Sequence, residues 1–425
     1  MVKSILKYVK QFYERILQSI AFYPVLLGLL FLILAILILQ IENLEFISRL
    51  KEQVPNLFIS DYETARSILT TLIGGIISLT VFSFSMVMVV LNQASSNFSP
   101  RLLPNLVSNK KHQLILGVYI GTLLYSIFVL IVLGAQGIDS DSVGLSTMLA
   151  AILAVLCIAL FVYFIHNIST AIQINNIIER IYTSSLESLQ KTIHEQQSKV
   201  KLSFAKSTDF KPILSNTTGY FNGFDTALLS EGLKKQHNQI HVLPYLNQHL
   251  FEGDIIAKVE NSLSDADQDA LLFCFNITSN RHGGDKGVSG LIKLMEIAVK
   301  AMSPGINDPG TAIEAIVKLG ELLYKTVALA NATSYKINEE NIIIVTNNIS
   351  IEELLRIIIQ PIRFYAREDC LVLFQLVKTL QFVKTNPSIS SEDKEAIENE
   401  LETIKSSIER YIENINDKKR LLSQF

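Results

Sequence analysis

The sequence is short of cysteine, of charge, and of any excess of one sign. Three cysteines, Cys157, Cys274 and Cys370, stand in 425 residues, with no CxxC and no Cys/His pattern around them. A disulfide scaffold is excluded, and the thiols read as reduced, buried, small hydrophobes. That usage suits a C-terminal half in a reducing compartment. The formal net charge is −3, so no basic surface offers itself to nucleic acid. Charged residues are 18% of the chain, against about 25% in ordinary soluble domains. The shortfall is local: about 18 charged residues lie up to Ile178 and about 59 from Glu179 onward. The front belongs in lipid and the rear in water. A wholly soluble protein, a collagen-like chain and a disordered tail are excluded by the same arithmetic.

Catalytic signatures are missing as well. There is no GxSxG, no HExxH, no Walker Lys-Ser/Thr pair and no GxGxxG after a strand. His237, His241 and His249 are close in sequence, but a strand over Gln239–Leu243 keeps the first two from sharing a helix face, so a zinc site is not expected. The chain is read as a non-enzyme without cofactor or metal.

What is present is a set of long uncharged runs. Ile16–Ile41, Ser67–Pro100, Gln113–Ile138 and the stretch between Val143 and His166 each exceed the roughly 20 residues that cross a hydrocarbon core of about 30 Å. Spans are expected at Phe22–Ile41 and Ser67–Leu91, then at the third and fourth runs, packed as an antiparallel bundle. The first run starts too late and is too long for a signal peptide, so it reads as a retained anchor. Before it, Val2, Ile5, Leu6, Val9, Phe12, Ile16 and Leu17 recur at helical spacing among lysines. That pattern fits an amphipathic helix on the inner leaflet or an extension of the first span.

Orientation follows from lysine and arginine in short loops. Lys3, Lys7, Lys10 and Arg15 precede the first span, and Arg101, Lys110 and Lys111 lie between the second and third. Both segments fall on one side, which puts both termini in the cytoplasm after four crossings. The alternative is that Ser67–Pro100 dips into the membrane and returns, inverting everything downstream.

The spans hold no Asp, Glu, Lys or Arg. That argues against a pump or proton-coupled carrier, which usually needs intramembrane charge. In the second span Thr71, Ser78, Ser85 and Asn92 recur every seven residues on one face, flanked by Gly74 and Gly75. Two readings compete: a helix-packing stripe, or the uncharged polar lining of a path. Four spans rarely enclose a wide pathway, so conduction needs several copies around an axis. Gly117 and Gly121 form a small-xxx-small pair suited to packing. His166 reads as a structural residue at headgroup level.

A helix is expected to continue from Asn167 to Val200, then a polar connector to Ile213. A small α+β unit follows. Its strands are expected at Gly219–Phe224, Gln239–Leu243, Ile255–Val259 and Leu271–Ile277, with a helix over Thr226–Lys235 capped by Asp225. Helices come next: one capped by Asp285 and running to about Met302, one started by Asp308 and Pro309, and three over Ile351–Ala366, Glu368–Val383 and Ser391–Ile415. A short strand is expected at Asn341–Val345. The organisation read from this is residues 1–20 interfacial helix, 21–166 four-span domain, 167–212 connecting helix and linker, 213–279 α+β unit, and 280–425 mostly helical. The fold class is an α-helical polytopic membrane domain followed by a cytoplasmic α+β region ending in helices.

Several segments carry a resemblance. They are Ser95-Ser96-Asn97-Phe98-Ser99-Pro100-Arg101, Leu116-Gly117-Val118-Tyr119-Ile120-Gly121-Thr122, Tyr163-Phe164-Ile165-His166-Asn167-Ile168, and above all Ala301-Met302-Ser303-Pro304-Gly305-Ile306-Asn307-Asp308-Pro309. Together they resemble the bacterial predicted-membrane-protein family catalogued as domain of unknown function number 2254, from the first span to about Leu323. Where that family shows Arg-Thr after a strand, this chain has Arg281-His282, then Gly283-Gly284 before Asp285. The resemblance implies a membrane protein with a cytoplasmic soluble region and supplies no activity.

Two candidate sites emerge. One is the stripe Thr71, Ser78, Ser85, Asn92. The other is Arg281, Asp285, Asn307 and Asp308, in loops leading into helix N-termini, where backbone N–H groups favour a small anionic ligand. The competing reading there is that Asp285 and Asp308 only cap helices and Arg281 ties the loops together. The leading functional expectation is an oligomeric, channel-like or transport-related protein, a homo-oligomer in the lipid bilayer. The alternative is a non-conducting sensor or scaffold whose cytoplasmic region binds a ligand or partner.

Overall fold

The computed structural model describes residues 21–42, 44, 46–47, 49, 58–59, 61–97, 110–136, 144–171, 173–198, 209–235, 237–279, 286–329, 332–336 and 342–425. The expected interfacial helix over 1–20 lies outside them. The chain divides into two compact units after Asn176.

The first unit is built from α1 (Phe22–Glu42), α2 (Tyr62–Asn97), α3 (Lys110–Gln136) and α4 (Gly144–Ala171). All four are long and apolar enough to cross a membrane. α2 is one unbroken helix of 36 residues, roughly 54 Å at 1.5 Å per residue. A segment that dips and returns is therefore ruled out over Tyr62–Asn97.

α3 is the hub, packing against α1, α2 and α4. Glycine permits the approach of α1. A Cβ on Gly117 would stand 2.6 Å from Leu27, and one on Gly121 would stand 2.7 Å from Phe31. The small-xxx-small pair is thus a packing surface. Two apolar clusters fill the unit, one around Leu69, Tyr125, Val129 and Leu133 and one around Ile76, Tyr119, Cys157 and Phe164.

The helix expected to run unbroken from Asn167 to Val200 is interrupted. α4 stops at Ala171 and α5 (Ile174–Ser198) begins afresh. Asn176 Nδ2 donates to Thr170 O at 2.9 Å and to Gln173 Oε1 at 3.2 Å. Asparagine bonds backbone groups near it in this way, which favours helix ends over helix interiors.

The second unit takes in most of α5 and continues with β1 (Lys211–Leu214) and β2 (Gly219–Phe224). Asp225 caps only a 3-10 turn at Thr226–Leu228. A second cap, Ser230, then starts α6 (Glu231–Lys235), so the single helix expected over 226–235 is two short pieces. β3 (Asn238–Val242), β4 (His249–Leu250) and β5 (Ile255–Val259) follow. The strand expected over Leu271–Ile277 is realised only in its second half, its first three residues being helix. Ser264 caps α7 (Asp265–Phe273), with Asp265 and Asp267 in its first turn, and only β6 (Phe275–Thr278) is extended. Capping and charge at a helix start outweigh the apolar run.

Next come α8 (Lys286–Ala301), α9 (Pro309–Thr326), β7 (Ala332–Lys336) and β8 (Ile342–Asn347). β8 pairs parallel with β3, and β7 closes the edge, in the order β1-β5-β3-β8-β7. The sheet is therefore completed by residues well beyond 279. A smaller sheet, β4-β2-β6, shares one apolar core with it through Phe221, Ile240, Ile256 and Leu271. The chain ends in α10 (Ile351–Tyr365), α11 (Cys370–Lys384), α12 (Ser391–Tyr411) and the unexpected α13 (Ile415–Leu422). α8 packs on α9 and α10, α9 on α11, and α12 on α10 and α11.

Candidate functional site

The stripe on α2 faces outward. Thr71, Ser78, Ser85 and Asn92 are all exposed, while Ile76 and Ser83 on the opposite side are buried. No group lies within 4 Å of a Cβ placed on Gly74 or Gly75. The stripe is therefore not packing against the other described helices of its own chain. Thr71 Oγ1 donates to Ser67 O at 2.8 Å and Ser78 Oγ to Gly74 O at 2.9 Å. The protons of these two hydroxyls are thus satisfied within α2, and their oxygens can still accept. Such a surface tolerates lipid and can also meet another chain or water.

Inside the unit a polar contact appears that the sequence did not signal. Glu42 reads as a charge in a loop, yet it is buried. Its carboxylate accepts from Leu145 N at 2.6 Å, from Ser146 N at 3.2 Å and from the Ser146 hydroxyl. A carboxylate on the last residue of α1 thus caps the N-terminus of α4, where unpaired N–H groups and the helix dipole favour negative charge. Tyr125 OH donates to Ser146 O at 3.1 Å and so joins the same cluster.

Of the loop constellation, Arg281 and Asp285 lie outside the described residues. Asn307 and Asp308 are exposed, in the tight break between α8 and α9. The break holds itself together: Ile306 N and Asn307 N both donate to Ser303 O at 3.0 Å, and Asp308 N donates to Ala301 O at 2.9 Å. Asn307 takes φ +48°, a left-handed conformation that asparagine tolerates better than most residues. Asp308 caps α9, accepting from Thr311 N at 3.1 Å and from Thr311 Oγ1 at 2.6 Å. Those bonds from Thr311 hold its carboxyl below the usual carboxylate range. Proline at the first position of α9 removes another donor. The capping role expected of Asp308 is realised, and it leaves a negative charge where an anion would have to sit.

Asn307 has another neighbourhood. A cavity of about 430 Å³ is lined by Met302, Pro304, Asn307, Phe364, Tyr365, Arg367, Glu368 and Asp369. The Arg367 guanidinium lies 5.5 Å from the Phe364 ring and 5.0 Å from the Tyr411 ring, within cation–π range. Its Nε also pairs with Glu368 at 3.2 Å. Phe364 and Tyr365 are exposed although apolar or aromatic. Reading along the sequence missed Arg367, because its only signal was a run of aromatic and charged residues at a junction between helices. His241 and His249 sit on different strands, the first bonded to Gln239 at 2.6 Å and the second between the rings of Tyr220 and Phe251.

Four long apolar helices with a close-packed interior, followed by a mixed α/β region and further helices, define a membrane protein. The chain belongs to the family described as predicted membrane protein (DUF2254), which matches residues 18–381. It is similar to an uncharacterized protein of Mycobacterium tuberculosis (strain H37Rv), at 22% identity over 373 residues, covering 84% of this chain and 71% of that one. An uncharacterized protein of Mycobacterium bovis matches to the same extent. No solved structure matches the chain.

Proposed function

We propose that this is a homo-oligomeric, channel-like or transport-related protein of the bacterial inner membrane, with the uncharged polar face of α2 turned toward the axis between copies. The observation that carries the reading is the exposure of the whole stripe Thr71, Ser78, Ser85 and Asn92 along a helix long and apolar enough to cross a membrane. A polar face wasted on lipid gains nothing, whereas copies arranged around an axis can line a path with it. The lysine and arginine distribution supports four crossings with both termini in the cytoplasm, and the region beyond Asn176 would assemble and gate the oligomer. No enzymatic step enters the reading. The test is mass determination in nanodiscs together with bilayer recording of wild type, Ser78→Leu and Ser85→Leu. A ring whose currents both substitutions abolish is expected. A monomer, or currents indifferent to both, refutes the reading.

A second reading has its own support. The 430 Å³ cavity beside Asn307 and Arg367 favours a non-conducting sensor whose soluble region binds a small ligand carrying an anionic or planar group. Thermal-shift screening of nucleotides and inorganic phosphate against wild type and Arg367→Ala separates this from the first. A stabilisation lost in Arg367→Ala is the outcome that supports it.

A further inference from the structure

The axis of the membrane unit holds more polar chemistry than packing needs. Because α3 touches all three other long helices, its enclosed face is the middle of the bundle. His112, Tyr119, Thr122 and Ser126 lie on that face, all buried. Their spacing of seven, three and four residues keeps them on one side of the helix. His112 to Ser126 spans roughly 21 Å at 1.5 Å per residue. Beyond Ser126, Tyr125 OH donates to the Ser146 carbonyl and so fixes that residue, while the Ser146 hydroxyl donates to the Glu42 carboxylate. Neighbouring helices add partners along the way. Cys157 Sγ on α4 meets Thr122 Oγ1 at 3.5 Å, and Ser83 on α2 faces Tyr119.

Several of these groups keep bonding capacity that the described chain does not fully take up. The hydroxyls of Ser83, Tyr119 and Ser126 close no well-formed hydrogen bond, although each residue is 0% exposed. Gln113 Oε1, one residue from His112, is in the same position at 4% exposure. Buried polar groups in folded proteins are almost always bonded, to protein or to water. One such group is an accident of packing. Three such hydroxyls in one enclosed region, two on the inner face of α3 and one facing it from α2, are a pattern.

We infer that this file is a proton path through each copy of the chain, its hydroxyls linked by a few internal water molecules, with Glu42 and His112 as the groups that exchange protons at its two ends. A hydroxyl both donates and accepts, so a proton taken up at one end shifts each hydrogen bond by one step and releases a different proton at the other. Nothing is oxidised or reduced and no heavy atom travels. Carboxylate and imidazole are the side chains that recur in membrane proton relays. Larger ions are excluded by shape, since the fully enclosed rings of Tyr119 and Tyr125 occupy the axis. The inference goes beyond the oligomeric reading and does not need it: the route lies inside one protomer, not between protomers.

The experiment uses the full chain in liposomes containing a pH-sensitive dye, with a potassium gradient and valinomycin supplying the driving voltage. Wild type should acidify or alkalinise the lumen faster than empty liposomes. Tyr119→Phe, which loses only the hydroxyl, should slow this by about tenfold, the effect of one lost transfer partner, and Ser126→Ala should slow it measurably. Ser78→Leu and Ser85→Leu should leave proton flux unchanged. Flux equal to that of empty liposomes overturns the inference. So does wild-type flux in both Tyr119→Phe and Ser126→Ala, or a loss confined to the two stripe variants. If Tyr119→Phe does not fold, Thr122→Val and Ser126→Ala carry the same test. A monomeric protein with Tyr119-dependent flux would sustain this inference while ending the oligomeric one.

Discussion

Gly320 offers the sharpest check on the packing of the second unit. It lies in α9 where that helix meets α11. A Cβ added there would stand 2.3 Å from Thr379 Cγ2 and 3.4 Å from Thr379 Cβ. Carbon atoms prefer about 3.5–4.0 Å, so alanine at 320 must push the helices apart or turn Thr379 out of its place. Thr379 is 4% exposed and has little room to turn. Overpacking costs about 1–3 kcal/mol, and an approach this short belongs in the upper half of that range. Alanine gains back about 1 kcal/mol over glycine as a helix former. Gly320→Ala should therefore destabilise by about 1–2 kcal/mol, and a unit of this size loses about 2–4 °C in Tm per kcal/mol. Thr379→Ser removes the offending methyl and keeps the oxygen that accepts from Gln375 Nε2 at 3.3 Å. The double variant Gly320→Ala/Thr379→Ser should regain most of the loss. Thermal unfolding of the full chain in detergent, followed by far-UV circular dichroism, reads both effects. A Gly320→Ala protein as stable as wild type, or one that Thr379→Ser fails to rescue, refutes the geometry.

Other consequences are as direct. Asp308→Ala should lose about 1 kcal/mol at neutral pH, the usual worth of an N-cap. Because the carboxyl of Asp308 titrates below its ordinary range, the cap's contribution persists above that range and fades as pH falls through it. The gap between wild type and variant in denaturant titrations should thus narrow in acid. Glu400 behaves oppositely. Burial between α10 and α12 raises its pKa, against the pull of Arg363 at 3.3 Å. Its unfolded form ionises first, so stability should decline as pH climbs from the ordinary carboxylate value to the raised one, and Glu400→Gln should flatten that slope. In the membrane unit, Glu42→Gln keeps the shape but sets amide protons against the N–H groups of Leu145 and Ser146. It should cost about 1–3 kcal/mol, measurable as earlier thermal loss of helix.

Local signals proved readable where a residue acts on its own backbone. The four uncharged runs became α1 to α4 because an apolar run of that length, placed in lipid without water, must hydrogen-bond its backbone internally. Asp308 followed by Pro309 started α9 because both effects are confined to one helical turn. The same local logic, applied too simply, produced the errors. The whole apolar run Leu271–Ile277 looked like a strand, yet only Phe275–Ile277 is one, because the cap at Ser264 had already committed Asp265–Phe273 to helix.

The sequence alone therefore determined which segments are apolar helices, where several of them begin, and that a water-facing region follows a lipid-facing one. Those properties depend on neighbours within a few residues. The outward turn of the α2 stripe, the capping of α4 by Glu42 about 100 positions away, the pairing of β8 with β3, and the meeting of Asn307 with Arg367 around a cavity were decided only in three dimensions. Each joins residues whose proximity is set by how helices and strands pack, and periodicity within one element says which residues share a face, never what that face will meet.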